Sequence, residues 1–291
     1  MPVEQLAVLL IHGMGHPPAD FADDLVARLT ASLGADAPRV RFAACHWSPI
    51  LQWAQDRVWR RMEAGGARMD GRWARRWLVS ALGDPAGYLS GYLQDGHPVH
   101  LRVHELLRDT LAGLAGRLER PDETPLAVLA HSLGAVVVSN YVWNEERAAE
   151  EVRPGPPATL GGALGAVLRQ AVGRTPFERM ETLTTLVTYG TNIPLFVPPV
   201  ERLACIRFPR PALPERLRAV ARWTNVYDPD DWLGYPIAGI WDDTHGTVIH
   251  DVALDVGPFP VSATPFSHTR YDRDADFVRL VAGELGKVLA A

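Results

Sequence analysis

Two apolar runs meet at a single polar hinge in the stretch P-L-A-V-L-A-H-S-L-G-A-V-V-V-S-N, residues 125–140. The first run, residues 126–130, is short, follows Pro125 and suits a fully buried strand. The second continues through Val138, Tyr141 and Val142 to a charged end at Glu145 and Glu146, which suits a helix packed on a sheet. Between them stand only His131 and Ser132, so the backbone has to turn sharply at the serine. A turn this tight needs small residues on both sides, and it leaves the hydroxyl standing proud beside the next backbone N–H. Gly134 meets that need on one side. On the other, Ala130 occupies a position where glycine is usual, and its methyl is tolerable if Ala130 keeps strand geometry and the strain falls on Ser132.

The rest of the chain repeats the same alternation. Residues 6–11, L-A-V-L-L-I, read as a buried strand that runs into the loop His12-Gly13-Met14-Gly15-His16-Pro17-Pro18. Residues 20–33 have helical spacing in Phe21, Leu25, Val26, Leu29 and Leu33, Gly34 ends that helix, and residues 40–47 form the next strand. Strand, glycine loop, helix and strand in succession predict an α/β fold with a mostly parallel sheet and crossover helices. After the hinge, Thr175-Pro176-Phe177-Glu178 reads as a capping box opening a short helix. Strands follow at 183–189, 220–227 and 247–256, and 195–213, rich in proline, reads as irregular coil. Residues 274–289 form a closing helix.

Residues 47–118 interrupt this alternation. Trp47, Leu51, Ala54, Val58 and Met62 repeat at helical spacing, as do Trp73, Trp77 and Ala81 after a Gly65-Gly66 break. Seven arginines fall between 57 and 76, against Asp56, Glu63 and Asp70. The segment reads as a helical cap over a pocket, with a solvated arginine face. The same pattern also suits peripheral contact with an anionic membrane, or with an acidic substrate group. Residues 153–174, rich in proline and glycine near their start, read as a flexible loop, and the whole of 1–291 as one domain.

The bulk numbers narrow the partners. With 29 basic against 34 acidic residues the formal charge is −5 and the pI near 6.1, so no overall basic field exists to neutralise nucleic-acid phosphates. Two cysteines, Cys45 and Cys205, cannot build a disulfide framework and read as reduced thiols. No apolar run reaches bilayer-spanning length, and Glu4 stands where a signal peptide would carry basic residues, which makes the cytoplasm the expected location. There is no G-x-G-x-x-G or phosphate-loop pattern, and His97, His100 and His104 lack the glutamate of an H-E-x-x-H metal site. Exposed or capping roles suit those histidines better than ligation, and no metal or organic cofactor is expected.

Acyl transfer through a serine needs a base for the hydroxyl proton, an acid to hold that base, and donors for the oxyanion. One candidate for each lies in a loop at the end of a predicted strand, in the order Ser132, acid, histidine. Together with the H-G-M-G loop at 12–15 and the S-H-T-R-Y segment at 267–271, these residues resemble an α/β-hydrolase of the lipase/esterase type, over most of the chain. The resemblance implies Ser132 as nucleophile, the backbone N–H groups of Leu133 and Met14 as the oxyanion hole, and His12, Gly13 and His131 lining the substrate site. Asp228, Asp230 and Asp231 crowd one turn; D-W-L-G-Y-P favours Asp231 as the acid over Asp228, with Asp230 a solvated spectator. His268 lies between the last strand and the closing helix and is the expected base; His245 and His250 flank or occupy a strand. The expected reaction is hydrolysis of a carboxylic ester or thioester on a small-molecule acyl substrate, apolar if the tryptophans and the V-P-P-V segment at 197–200 line its pocket. The alternative is a non-catalytic lipid- or partner-binding protein on the same fold.

Overall fold

The computed structural model describes residues 3–66, 69–89, 93–94, 97–150, 171–196, 201–257 and 265–291. Six parallel strands form its main sheet: β1 (Leu6–Ile11), β2 (Val40–Cys45), β3 (Leu126–His131), β4 (Leu183–Tyr189), β5 (Arg222–Tyr227) and β6 (Ile249–Ala253). Their order across the sheet is β2-β1-β3-β4-β5-β6. The chain therefore leaves β1 toward one edge, then crosses back to place β3 on the other side of β1. Loops leaving β1 and β3 diverge at such a switch point and open a crevice at the carboxyl ends of the strands.

Both faces of the sheet are covered, so β1 is apolar without alternation, as is β3 up to His131, and even the threonines of β4 are buried. Val8, Leu10, Ala127, Leu129 and Val187 pack beneath α1 (Asp23–Leu33) and α6 (Ala275–Leu289). Leu9, Ile11, Val128, Ala130 and Leu186 point to the opposite face, which α4 (Val99–Ala115) and α5 (Leu133–Glu150) cover through Val103, Leu107, Leu111, Val137 and Tyr141. The closing helix starts where the sequence places it, because Asp274 caps it by accepting the N–H groups of Asp276 and Phe277.

The region at 47–118 divides differently from the expectation. Only α2 (Pro49–Ala64) and α3 (Arg72–Leu89) form an appended hairpin; α4 is a sheet helix packed beside β2, with its apolar stripe fully buried. His104 is likewise buried, not exposed or capping: its Nε2 pairs with Tyr88 Oη at 2.9 Å and its Nδ1 with Asn144 Nδ2 at 3.2 Å. The hairpin presents Trp53, Val58, Met62, Leu78, Leu82 and Leu89 to solvent, interleaved with exposed Arg57, Arg60, Arg61 and Arg75. The side chains of Trp73, Trp77 and His97, residues 151–170 of the expected flexible loop, and 197–200 lie outside the described set.

The segment at 175–178 forms one of the two capping-box hydrogen bonds, with the other shifted to Arg174, and no helix. Glu178 N–H donates to Thr175 Oγ1 (3.2 Å) and Glu178 Oε2 accepts Arg174 N–H (2.7 Å), yet Met180 at φ +53° stops propagation and the chain turns into β4. Nearby, Glu145 of α5 is buried and accepts Gly173 N–H at 2.7 Å. Burial outweighs that bond and pushes its carboxyl from an ordinary 4.5 up to about 7. The folded chain thus keeps a proton that the unfolded chain releases near 4.5, so stability falls as pH rises from there through about 7. Glu145→Gln, which keeps the acceptor, should raise stability at pH 8 by up to about 3 kcal/mol and change it little at pH 4, as urea titrations at the two pH values would read.

Candidate active site

Ser132 sits in the one-residue gap between β3 and α5 at φ +50°, a left-handed conformation that a non-glycine residue holds only under strain. Ala130 remains inside the strand, paired with Ile11 and Thr188, so the strain does fall on the serine as the sequence requires. The surroundings enforce the turn. Ser132 N–H donates to Tyr189 O of β4 (2.9 Å), and Ser132 O accepts Ala135 N–H (3.0 Å). Gly134 allows the first turn of α5 to rest on the end of β1: a β-carbon there would lie 2.7 Å from His12 O and 2.9 Å from Ile11 O. Gly13 packs on the serine from the other side, where a β-carbon would come within 2.6 Å of Ser132 Cβ.

His268 and Asp231 complete a continuous chain of hydrogen bonds. His268 lies in a 3-10 turn, Pro265–Thr269, with Nε2 2.9 Å from Ser132 Oγ and Nδ1 2.8 Å from Asp231 Oδ2. With the carboxylate accepting from Nδ1–H, Nε2 is left with its lone pair toward the serine hydroxyl. All three residues are buried. Burial would raise the Asp231 carboxyl, but the hydrogen bond and charge of His268, the Leu233 N–H and the Tyr271 hydroxyl together hold it below its ordinary value. Asp231 is therefore ionised at neutral pH.

Among the three crowded aspartates the geometry separates the functions. Asp228 is also fully buried, but its oxygens accept Asp230 N–H (2.8 Å) and Val256 N–H (2.7 Å), tying the end of β5 to the segment after β6. Asp230 is exposed. His250 lies in β6 and His245 in a turn before it, away from this chain of bonds.

Two of the residues expected to line the substrate site serve as braces. His12 Nδ1–H donates to Gly13 O (2.7 Å), while Nε2 accepts the N–H groups of Trp47 (3.1 Å) and Ser48 (3.3 Å), and its ring stacks on Trp47. It thereby joins the loops after β1 and β2. His131 Nε2–H donates to His268 O (2.9 Å) and its ring lies between Tyr189 and His268. Burial drives both imidazoles down to about 3, so both stay neutral. Gly13 does lie at the serine. Leu133 opens α5, so its N–H is one of the first-turn donors without an intrahelical partner.

Four contributors escaped the sequence reading. Asn192, fully buried in the loop after β4, donates from Nδ2 toward Ser132 Oγ at 3.3 Å. Tyr271 donates to Asp231 Oδ2 (3.0 Å) and accepts Asp228 N–H (2.9 Å). Tyr271 belongs to the S-H-T-R-Y segment already singled out, and Asn192 follows closely on the strand at 183–189, which was the available signal. Asp84 of α3 and Gln55 of α2 had none. Asp84 accepts Gly15 N–H (2.6 Å) and Gln55 Nε2–H (2.7 Å), so the hairpin grips the loop that carries Met14.

No protein-family model matches the chain, and no curated protein matches it significantly. The geometry stands alone. Gly134→Val should destabilise the fold by roughly 1–3 kcal/mol, because the β1 carbonyls it meets belong to a central strand that cannot yield; a denaturant midpoint equal to wild type would refute that tight contact.

Proposed function

We propose that the protein is a serine hydrolase of the α/β-hydrolase type that cleaves a carboxylic ester or thioester. One observation carries this reading: a strained serine whose hydroxyl meets a histidine that a buried, ionised aspartate holds. A structural serine has no use for that arrangement, and neither has a non-catalytic binding protein on the same fold.

In the proposed reaction Ser132 Oγ attacks the acyl carbonyl as its proton passes to His268 Nε2. Asp231 stabilises the resulting imidazolium and keeps its orientation, with Tyr271 and His131 fixing the acid and base in turn. The oxyanion forms against the N–H groups of Leu133 and Met14. His268 returns its proton to the departing alkoxide or thiolate, and water, deprotonated by the same histidine, releases the acyl group from Ser132. No step requires a metal or organic cofactor.

A fluorophosphonate probe should label wild type and leave Ser132→Ala unlabelled; equal labelling of the two, or none of either, would end the serine-hydrolase reading. Asp231→Asn should lower turnover of a p-nitrophenyl ester by about four orders of magnitude, against a small effect for Asp228→Asn. The reverse order would reassign the acid.

We further read the α2–α3 hairpin as a peripheral contact for anionic membranes from a cytoplasmic location. Its exposed apolar side chains alternate with arginines, and the Arg57 guanidinium lies 5.0 Å from the Trp53 ring centroid, a pairing suited to an interfacial layer. Vesicles rich in phosphatidylglycerol should sediment the wild type and lose most of it on Leu78→Asp/Leu82→Asp substitution. Equal sedimentation of both proteins would exclude this face.

A further inference from the structure

A cavity of about 380 Å³ lies along α5, the helix that follows Ser132, within the size range of small-molecule sites. One wall is a helical stripe, Val136, Asn140, Trp143 and Arg147, which begins one turn after the serine. The facing wall begins with Ile193 and Phe196, directly after the Asn192 that touches Ser132 Oγ. Both walls thus begin within one helical turn, in sequence, of Ser132 or of its partner Asn192. The lining is otherwise chiefly aliphatic and aromatic, with Trp223 and Trp241 among it.

Two polar groups in this lining have no partner among the described residues. Ser139 Oγ and Trp241 Nε1 are buried without a hydrogen-bond partner there, and leaving such groups unmet costs roughly 1–3 kcal/mol each. Arg147 and Arg202 supply the only formal charges among the described lining residues. Both are exposed, and neither forms an ion pair among the described residues. Glu146, the carboxylate beside Arg147 in sequence, is committed to Arg210 and to Arg207 N–H. From Ser132 to Arg147 the helix rises about 22 Å. Along the helical wall the lining therefore begins with apolar Val136, the residue nearest the serine in sequence, and ends with the Arg147 guanidinium.

We propose that this cavity takes the long apolar limb of an ester or thioester whose far end carries an anionic group, held by Arg147 and Arg202 while the acyl carbonyl lies at Ser132. The proposal rests on the hydrolase reading for the position of the carbonyl, but not for binding. The apolar wall contributes by removing methylenes from water, and the two guanidiniums select the charged terminus by charge-assisted hydrogen bonds.

The test compares p-nitrophenyl dodecanoate with the mono-p-nitrophenyl ester of dodecanedioic acid, which differ only at the end remote from the reacting carbonyl. Wild type should favour the charged-end ester in kcat/KM by about tenfold at low salt, and Arg147→Gln/Arg202→Gln should bring the ratio close to one. Equal rates on the two esters in wild type, or a ratio untouched by the double substitution, would overturn the proposal. Calorimetry of Ser132→Ala with monomethyl dodecanedioate gives a readout free of turnover. Saturable binding weakened about tenfold by the arginine substitutions supports the cavity even if no ester is hydrolysed, in which case the hydrolase reading alone fails. Absence of saturable binding overturns the cavity proposal. Val136→Trp, placed at the end nearest the serine, should lower kcat/KM for both dodecanoyl esters far more than for p-nitrophenyl acetate; a uniform loss would mean that the long limb lies elsewhere.

Discussion

Everything in the site depends on one backbone angle. Ser132 at φ +50° stores strain of order 1–3 kcal/mol, and the neighbouring elements repay it. The serine is held by a ladder bond to β4, by the first turn of α5 resting on the carbonyls of β1, and by Gly13 against its side chain. Each of these contacts joins a different pair of elements across the centre of the sheet. The hydroxyl is consequently positioned by the most deeply buried part of the molecule, and the residues that meet it arrive on loops anchored to the same strands.

The sheet order explains why those loops converge. β1 and β3 are neighbours although the chain visits β2 between them, so the glycine loop after β1 and the turn after β3 meet at one edge of the sheet. β4 and β5 follow outward in sequence and deliver Asn192 and Asp231 to the same edge. His268 and Tyr271 come from beyond the last strand, and His268 is held on several sides: Asp231 on Nδ1, His131 on its carbonyl, and Tyr271 bridging to both aspartates.

What the sequence makes legible follows from which forces are local. Apolar runs without alternation identify the central strands because burial on both faces leaves no polar side. The tight turn at Ser132 is legible because only small neighbours fit it. Asp231 stands out from Asp228 through the residues that follow it, and it is Asp231 that His268 Nδ1 meets, while Asp228 accepts Val256 N–H. The histidines were harder. His12 and His131 sit beside the serine in sequence, yet buried imidazoles with backbone partners on their ring nitrogens serve as braces, and sequence adjacency cannot report side-chain direction. The α4 boundary was misread for a related reason: its apolar stripe resembles that of a cap helix until the partner surface beside β2 is known. Asp84 and Gln55 are long-range contacts with no local signature at all.

That last pair alters the status of the α2–α3 hairpin. By chain position it is an insertion between β2 and α4, a decoration on a sheet that is complete without it. Yet the buried Asp84 carboxylate holds Gly15 N–H, the residue next to Met14, and Gln55 locks that carboxylate in place. The hairpin is a structural support of the glycine loop and not a detachable accessory. A shortened relative lacking these two helices would have to secure its glycine loop by other means, so the length of this segment is constrained by the loop it supports as much as by whatever lies outside it.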